Sequence, residues 1–577
     1  MAICVLCQTS EASLTCSGCK TATYCSVDHQ KQHWKNHKIE CRPFEIREDK
    51  VLGRYLVATR DIPADSFILT ELPLVVAPKW SLDERERLMP ITPCVGCFEP
   101  VPVYASTRCK QCSWPTCRDN CEGLDNDRLH GLECGILAFG KSPYKNKEED
   151  PEAFLDFYRS DALFALKCLM LKVKKPKKWD ELMKLEAHEA ERKKSPFYED
   201  SNERVVIYLQ RNFLDVVKIF EEKTGNQILK GCDTNTLEKI CGIIEVNSMQ
   251  IPLPNGQELS GIFPTACLVE HSCVPNTTYS FNMTDGFKII LTAGRDIKKG
   301  EHLTTSYTHT LWGTFARREH LFHTKYFKCR CERCSDKTEL GTNFSALKCF
   351  GTEIARCNGI QLPNDPLNEN SEWSCDKCQI SMTSDQVLSL MGQMQEEVDS
   401  VIYNKNASVR ETETLIDKLS QFLHQNHYHI FALKHSLIQL YGHQKEYLPV
   451  QLSDSTLERK IKMCHELMEV IQKLDPHSIR LALYTSIILY ELSFTLIELG
   501  QRRLKATSNP EEKIKHAKLL DEAENFLKQG IDSLKHEKNT TEGDKILKQF
   551  NELDEKLQKI LSNANTVSSC SLCSVCC

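Results

Sequence analysis

The sequence predicts a multidomain α+β chain, and three observations carry that expectation. Thirty cysteines gather in clusters that also hold histidine. Two stretches rich in β-branched residues, near 51–79 and 246–310, flank a segment of helical pattern. From 383 to about 560 the chain reads as long amphipathic helices. At 577 residues it is also too long for a single core.

Composition narrows the setting. Apolar content is ordinary, so a large core can be buried. A net charge of −6 gives no overall drive toward nucleic acid or anionic membrane. The opening MAICVLCQTS has neither a basic region nor a long apolar run, so no secretory signal is expected. The most apolar stretch, Leu481 to Gly500, carries Glu491 and Glu498 at helical spacing, which predicts a buried helix rather than a membrane span. Secreted cysteines would mean disulfides. Without a signal, and with Cys-x-x-Cys pairs mixed with histidine, they predict zinc and a reducing, intracellular compartment, nucleus or cytoplasm.

The first cluster is Cys4, Cys7, Cys16, Cys19, Cys25, His29, His37 and Cys41. The second is Cys94, Cys97, Cys109, Cys112, Cys117, Cys121, His130 and Cys134. Each has two Cys-x-x-Cys pairs, a ligand pair separated by three residues, then His-x-x-x-Cys, so the chain holds an internal repeat. Eight ligands fit two tetrahedral zinc sites. Ligands at i and i+4 share a helix face, which predicts a helical second half in each copy. His33, on the same helix as the first cluster, is expected to be a surface or packing residue. A third group, Cys329, Cys331 and Cys334 in "CRCERC", is one ligand short of a structural site. A fourth, Cys349, Cys357, Cys375 and Cys378, fills one site alone, for a total of about six zinc ions. Cys273 in "CLVEHSCVPN" has no nearby partner; nucleophile, metal ligand and core residue all stay open from the residues alone.

The remaining segments follow in order. Residues 51–79 read as short strands turning at Asp61-Ile62-Pro63, and "FKIILTAGRDIKKGEHLTTSY" as strands turning at Lys299-Gly300. Residues 150–245 read as mostly helical, with the basic run "KVKKPKKW" as a solvated loop. "HYHIFALKHSLIQLYGH" and "ALYTSIILYELSFTLIELG" are helices long enough to suggest a tetratricopeptide-like array, although no clean repeat is visible. The tail cysteines Cys570, Cys573, Cys576 and Cys577 are lipidation sites, metal ligands or an unstructured end.

The eight-ligand clusters resemble the MYND zinc finger. That resemblance implies interleaved ligands: Cys4, Cys7, Cys25 and His29 on one zinc, with Cys16, Cys19, His37 and Cys41 on the other. In the second copy the sets are Cys94, Cys97, Cys117, Cys121 and Cys109, Cys112, His130, Cys134. His29 stands where a cysteine is common, and imidazole serves there. The strand-rich pieces resemble a SET methyltransferase domain split by a finger and a helical insert. The motifs are "GRYLVATRDI" from Gly53, "VNSM" from Val246, "EHSCVPN" from Glu270, "DIKKGEHLTTSY" ending at Tyr307 and "YFKCRCERC" from Tyr326. Their order is similar to the SET and MYND family, and the extra first finger to its arthropod-specific branch.

The implied domains are a first MYND finger (4–41), the first SET part (48–92), a second MYND-like finger (94–134), a helical insert (135–245) and the core SET (246–310). A post-SET zinc site (311–340), a zinc ribbon (345–380), the helical array (383–562) and a cysteine-rich tail (563–577) follow. The resemblance makes Cys273 the fourth ligand of Cys329, Cys331 and Cys334. It implies S-adenosylmethionine as cofactor and methyl transfer to a lysine of a protein, histone or other, in transcriptional regulation. Tyr307 is then the tyrosine at the methyl-transfer site. Gly53, Arg54, His188, Asn247, Glu270, His271, Tyr326 and Phe327 lie along the cofactor, with Phe327 on the adenine. Proline-rich peptides or corepressors are the implied partners of the fingers. Lys20, Lys31, Lys35, Lys38 and Arg42 make the first finger basic, but without a reader-helix pattern no direct sequence-specific DNA binding is expected.

Three positions depart from the family pattern. Tyr55 replaces the second glycine of a Gly-x-Gly, which alters close backbone approach to the cofactor. Lys325 stands where an aromatic is usual beside the lysine channel, and a fixed ammonium there would repel a cationic substrate. Glu270 replaces an asparagine. A carboxylate only accepts hydrogen bonds, so it would pair with the cofactor's amino group, repel its carboxylate and lower its affinity. These departures keep a second reading open: a zinc-built scaffold whose SET domain has weak or no catalysis.

Overall fold

The computed structural model describes residues 2–9, 11–16, 22–79, 91–103, 107–126, 129–140, 157–225, 227–229, 231–352, 354–404, 407–537 and 541–571. Cys19, Cys573, Cys576 and Cys577 lie outside them, as does the side chain of Cys570. The chain divides into two compact units. The first comprises Met1–Glu270, Tyr279–Leu303 and Phe322–Phe327, and the second His271–Thr278, Thr304–Leu321 and Lys328–Cys577.

The first unit opens on a small hairpin, Leu14–Thr15 with Thr23–Tyr24, and the helix Val27–Cys41. Ser26 caps that helix by accepting from the His29 N–H at 3.2 Å, which places His29, His37 and Cys41 at helical spacing. His33 packs, as expected: its Nδ1 lies 3.0 Å from the Tyr24 hydroxyl and its ring stacks on His37. The buried centre of this module is little more than Cys4, Cys16, Tyr24 and Cys41. A core so small needs metal to hold it.

The strand system draws on both sides of the insert. Phe44–Asp49 and Gly53–Ala58 form a hairpin; Asp49 closes its turn by accepting from the Val51 and Leu52 N–H at 2.7 Å each. Phe67–Glu71 pairs antiparallel with Lys288–Ala293, and Val76–Lys79 pairs with Glu258–Ile262, which pairs in turn with Ser248–Pro252. Strands separated by about two hundred residues of sequence thus interleave around Leu56, Ile68, Val76, Leu259, Phe263 and Leu291. The insert has its own core. Its helix Ser160–Lys174 buries an unbroken run from Ala162 to Leu171, so it is covered on every side, with Lys167 the one charged residue in the run. Thr234–Asn247, capped by Asp233, closes the insert.

Two expectations are corrected here. The second finger is not helical in its second half: among the described residues, Cys117 to Glu133 form turns, and only Cys134–Leu137 is helix. Gly123 explains part of this, because a Cβ there would sit 2.0 Å from the Gly96 carbonyl oxygen, a contact that a helix with side chains cannot make. The basic run at 172–179 is not a loop. It ends the helix Ser160–Lys174 and begins Pro176–Leu182, with proline in the first turn, where its missing N–H costs nothing. No sequence cue foretold the π-helical turns at Asn202–Ile207 and Gln210–Leu214.

In the second unit the short helix Glu332–Ser335 precedes a four-stranded antiparallel sheet in the order Leu347–Lys348, Ile360–Pro363, Trp373–Cys375 and Ser381–Met382. Helices follow at Ser384–Ile402, Val409–Leu419, Tyr428–Leu440, Asp454–Leu474, Ala482–Ala506, Pro510–Ser533 and Thr541–Ser571. Thr383 with Gln386, and Ser408 with Glu411, make capping boxes at the first two. Ala482–Ala506 is long and apolar enough to cross a membrane, but 67 % of its apolar stretch is buried inside the protein. Within it Glu491 pairs with the buried Lys460 at 2.6 Å, as a core helix would and a lipid-facing one would not.

Candidate functional site

The cysteine sets assemble as tetrads. Cys4, Cys7, Cys25 and His29 converge, as do Cys94, Cys97, Cys117 and Cys121, then Cys109, Cys112, His130 and Cys134. Cys273 joins Cys329, Cys331 and Cys334, while Cys349, Cys357, Cys375 and Cys378 form their own group on the four-stranded sheet. In each, the ligand atoms lie within 4.8 Å of one another. Four thiolates at zinc distance stand roughly 3.8 Å apart, and the sulfurs here pair at 3.8 Å for Cys7–Cys25, 3.6 Å for Cys97–Cys117 and 3.6 Å for Cys273–Cys334. The donor sets fit zinc. In the set missing Cys19 from view, Cys16 and Cys41 are 3.4 Å apart and His37 is buried.

The second finger carries a support that sequence reading missed. His130 directs Nε2 at Cys112 (3.5 Å) and Nδ1 at the Glu133 carboxylate (3.1 Å). Glu133 is itself 3.4 Å from the Lys167 ammonium, and all three side chains are buried. A carboxylate behind a histidine ligand fixes its tautomer and aims its metal-binding nitrogen. The signal was His130-x-x-Glu133, ambiguous alone, since Lys167 comes from a distant helix.

The Cys273 tetrad lies in the second unit, on a buried charge network that was also missed. Arg317 Nε donates to Cys273 Sγ at 3.2 Å and its Nη2 to Cys334 Sγ at 3.6 Å. Arg317 and Arg333 are both 0 % exposed and both bind Glu339, at 2.8 and 2.9 Å. Burial alone would raise the Glu339 carboxyl, but the two guanidiniums outweigh it and hold it down at about 2. Four thiolates on a divalent zinc leave a charge of about −2, and cations at sulfur offset that charge where water is absent.

His271 links the tetrad to Tyr307. Its Nδ1 accepts the Tyr307 backbone N–H at 2.9 Å, and its Nε2 stands 3.3 Å from Cys273 Sγ. Burial depresses the imidazole to about 4, so the ring is neutral. Nδ1 is then the acceptor, Nε2–H the donor to sulfur. The ring nitrogens of His271 thus contact the zinc ligand and the tyrosine's backbone.

The other candidates lie in the first unit. Gly53 has φ +67°, a left-handed conformation that favours glycine, and no protein atom within 4 Å of where a Cβ would go. Arg54 Nη2 donates to the Lys184 carbonyl at 2.7 Å. His188 has φ +45°, donates its N–H to Glu186 Oε1 at 2.9 Å, and packs its ring against Tyr326. Tyr326 donates its hydroxyl to Glu245, and Phe327 is half-buried beside it in sequence. Asn247 gives its amide hydrogens to the Glu186 and Ile243 carbonyls at 2.7 and 2.9 Å.

The departures take on physical form. Lys325 donates to the Val246 and Glu245 carbonyls at 2.7 and 3.2 Å. Burial depresses its ammonium to about 8, against the opposing charge of Glu245. Tyr55 stacks on His302, ring centroids 4.6 Å apart, and His302 Nδ1 lies 2.7 Å from Glu270 Oε2. Two of the three departures are therefore parts of one cluster.

Compared with known families, residues 53–308 match the SET domain and residues 4–41 the MYND finger. The chain therefore carries a SET domain and a MYND finger. It is similar to the Drosophila melanogaster SET domain-containing protein SmydA-8, isoform A, at 28 % identity over 339 residues, which cover 58 % of this chain and 64 % of that one. The Arabidopsis thaliana histone-lysine N-methyltransferase ASHR1 is 22 % identical over 440 residues, 74 % of this chain and 81 % of its own. The Mus musculus histone-lysine N-methyltransferase SMYD3 is 27 % identical over 253 residues, 43 % of this chain and 49 % of its own. The chain thus spans less than two thirds of the length of the first and the last of these. A solved structure, the SET domain of LSMT bound to lysine and AdoHcy, covers 85 % of this chain and 99 % of its own at 12 % identity, with a TM-score of only 0.25.

Proposed function

We propose that this chain is an S-adenosylmethionine-dependent protein-lysine N-methyltransferase acting in the nucleus or cytoplasm. The observation that carries the reading is the anchored tyrosine. Tyr307 stands at the end of the SET match, and its backbone is fixed by a neutral His271 that is itself keyed to the Cys273 tetrad. Bound S-adenosylmethionine supplies a methyl group on a sulfonium. That methyl would pass to an amine nitrogen as its bond to sulfur broke, with S-adenosylhomocysteine as the leaving group and one amine proton released. No protein nucleophile is needed. The chain must align the partners, exclude water and favour the neutral amine. A free lysine titrates near 10.4, so desolvation of the entering amine is required. On this reading Tyr307 is the tyrosine of the methyl-transfer site, and Gly53, Arg54, His188, Asn247, Glu270, His271, Tyr326 and Phe327 are the cofactor residues.

Cys273 is assigned as the fourth zinc ligand of Cys329, Cys331 and Cys334, and the second cysteine repeat as a second MYND-like finger. Histones or other proteins are the substrates, with a role in transcription. The fingers take proline-rich peptides or corepressors, and the carboxy-terminal helices form a tetratricopeptide-like surface for partners. Calorimetric titration tests the cofactor: S-adenosylmethionine should bind with measurable heat and raise the melting temperature. No heat and no thermal shift would reject it.

A second reading has a specific support in Lys325 and Glu270, charged groups where the family pattern has neutral ones. On that reading the chain is a scaffold with a weakened SET domain. Pull-down of partners by a chain that transfers no methyl group would favour it.

A further inference from the structure

The second unit holds a cavity lined by none of the residues assigned to methyl transfer or to zinc. It encloses about 810 Å3, part of it open to solvent, and a water-sized molecule can centre in about 100 Å3 of that space. This is room for one small molecule or several waters. The first turns of the helix Thr314–Lys325 bring Phe315 and Arg318 to it. The four-stranded sheet brings Pro363 and Trp373, which pair across neighbouring strands, and the loop between them brings Pro366. The helix Ser384–Ile402 presents Ser384, Val387, Leu388 and Met391, a stripe at helical spacing. The walls are therefore mostly apolar and aromatic.

Arg318 is the exception, and it is 4 % exposed. Its Nε donates to the Cys329 carbonyl and its Nη1 to the Pro366 carbonyl, each at 3.2 Å. Both partners are neutral. Among the described residues no carboxylate stands within 4 Å of it, and its Nη2 donates to no acceptor. A buried cation without a counter-charge is costly. Its chain neighbour Arg317 has such a partner, for it shares Glu339 with Arg333. The acidic residues of the lining are engaged locally. Glu369 pairs with Lys328 at 2.5 Å, Asp336 takes the Thr338 and Leu340 N–H groups at 2.8 Å each, and Asp365 takes the Leu367 N–H at 2.9 Å. Lys337, the other cation of the lining, is exposed and can be solvated. Tyr428 lines the same cavity, and its hydroxyl donates to no described residue.

We propose that this cavity binds a small carboxylic acid with an aromatic or aliphatic body. The carboxylate meets the unclaimed Nη2 of Arg318, and the body lies against Phe315, Trp373 and Met391. The site stands apart from methyl transfer and does not require it.

Three probes of one shape and different charge test this: 3-phenylpropionate, 3-phenylpropionamide and 3-phenylpropylamine. Dissociation constants are read by ligand-observed NMR on the full, zinc-loaded chain. The acid should bind with a Kd of about 1 mM, in keeping with its size. The amide should bind about tenfold more weakly, the loss of one hydrogen bond between charged groups, and the amine no better than the amide. Arg318→Lys should bring acid and amide within about threefold of each other, because the ammonium lacks the fork that reaches past the two carbonyls. Phe315→Ala, at an exposed position that folding tolerates, should weaken acid and amide alike by about fivefold. Zinc content and melting temperature report whether each variant is folded; if Arg318→Lys is not, the three probes and Phe315→Ala still decide. No binding of the acid up to about 10 mM, acid and amide bound alike, or the amine bound most tightly would overturn the proposal. So would an acid preference that survives in a folded Arg318→Lys, or full affinity in Phe315→Ala.

Discussion

Glu339→Gln is expected to destabilise the protein by about 3–5 kcal/mol, the cost of leaving buried charge without its partner. Arg317 and Arg333 are fully buried and share this one carboxylate. Removing its charge leaves two fully buried guanidiniums without the carboxylate they share. Glutamine keeps the shape and can still accept, so the loss isolates the charge. The same network makes a pH prediction. Glu339 has a folded value of about 2, below its ordinary 4.5, so its contribution is fully present above the unfolded value and is lost as the pH falls from about 4.5 through 2. The difference is worth about 3 kcal/mol. Denaturant unfolding of the two chains at neutral pH and near pH 3 checks both statements. A gap under about 1 kcal/mol at neutral pH, or one that does not narrow in acid, would contradict the network's role.

Cys273→Ala is expected to remove one zinc ion per chain and to cost at least about 4 kcal/mol, the range reached when a structural metal is lost. The effect should spread beyond the metal. His271 would lose the sulfur to which Nε2 donates, and Arg317 its Nε partner. The Tyr307 backbone, held by the other nitrogen of His271, would loosen with them. Metal content measured by emission spectroscopy, together with the melting temperature, tests this. Full zinc content with unchanged melting would return Cys273 to the role of an ordinary core cysteine.

How much of this was legible in the sequence depended on whether the chemistry leaves a spacing. Zinc tetrads do: Cys-x-x-Cys and His-x-x-x-Cys are short, local and repeated, and the three-ligand group advertised its own gap. The strands themselves could be read because "GRYLVATRDI" and "FKIILTAGRDI" both alternate and turn; their interleaving was implied only by the resemblance to the SET domain. Single charged residues leave no spacing. Nothing around Arg317, Glu339 or His302 marks them as partners, and their meaning comes from contacts 22 to 44 residues away, or from a neighbouring strand. The second finger misled for a different reason. Its i, i+4 ligands satisfy a helix rule, but the contact between Gly123 and Gly96 and the turns around Asn126 override that local preference. Lys325 and Glu270, taken singly, read as obstacles. One is held by helix-end carbonyls and the other by a histidine, so each charge has a local partner that no motif could have supplied.

The central claim is that the chain moves a methyl group from S-adenosylmethionine to lysine with Tyr307 at the reacting amine. The most direct measurement is transfer of radiolabelled methyl to histones and to proteins of a cell extract, by the unsubstituted chain and by Tyr307→Phe. The account predicts label on lysine with the unsubstituted chain and a fall of about a hundredfold or more with the variant, the usual effect of losing a positioned hydroxyl at a proton-releasing centre. Label that is undiminished in Tyr307→Phe, or no label from a chain that is folded and zinc-loaded, would contradict it.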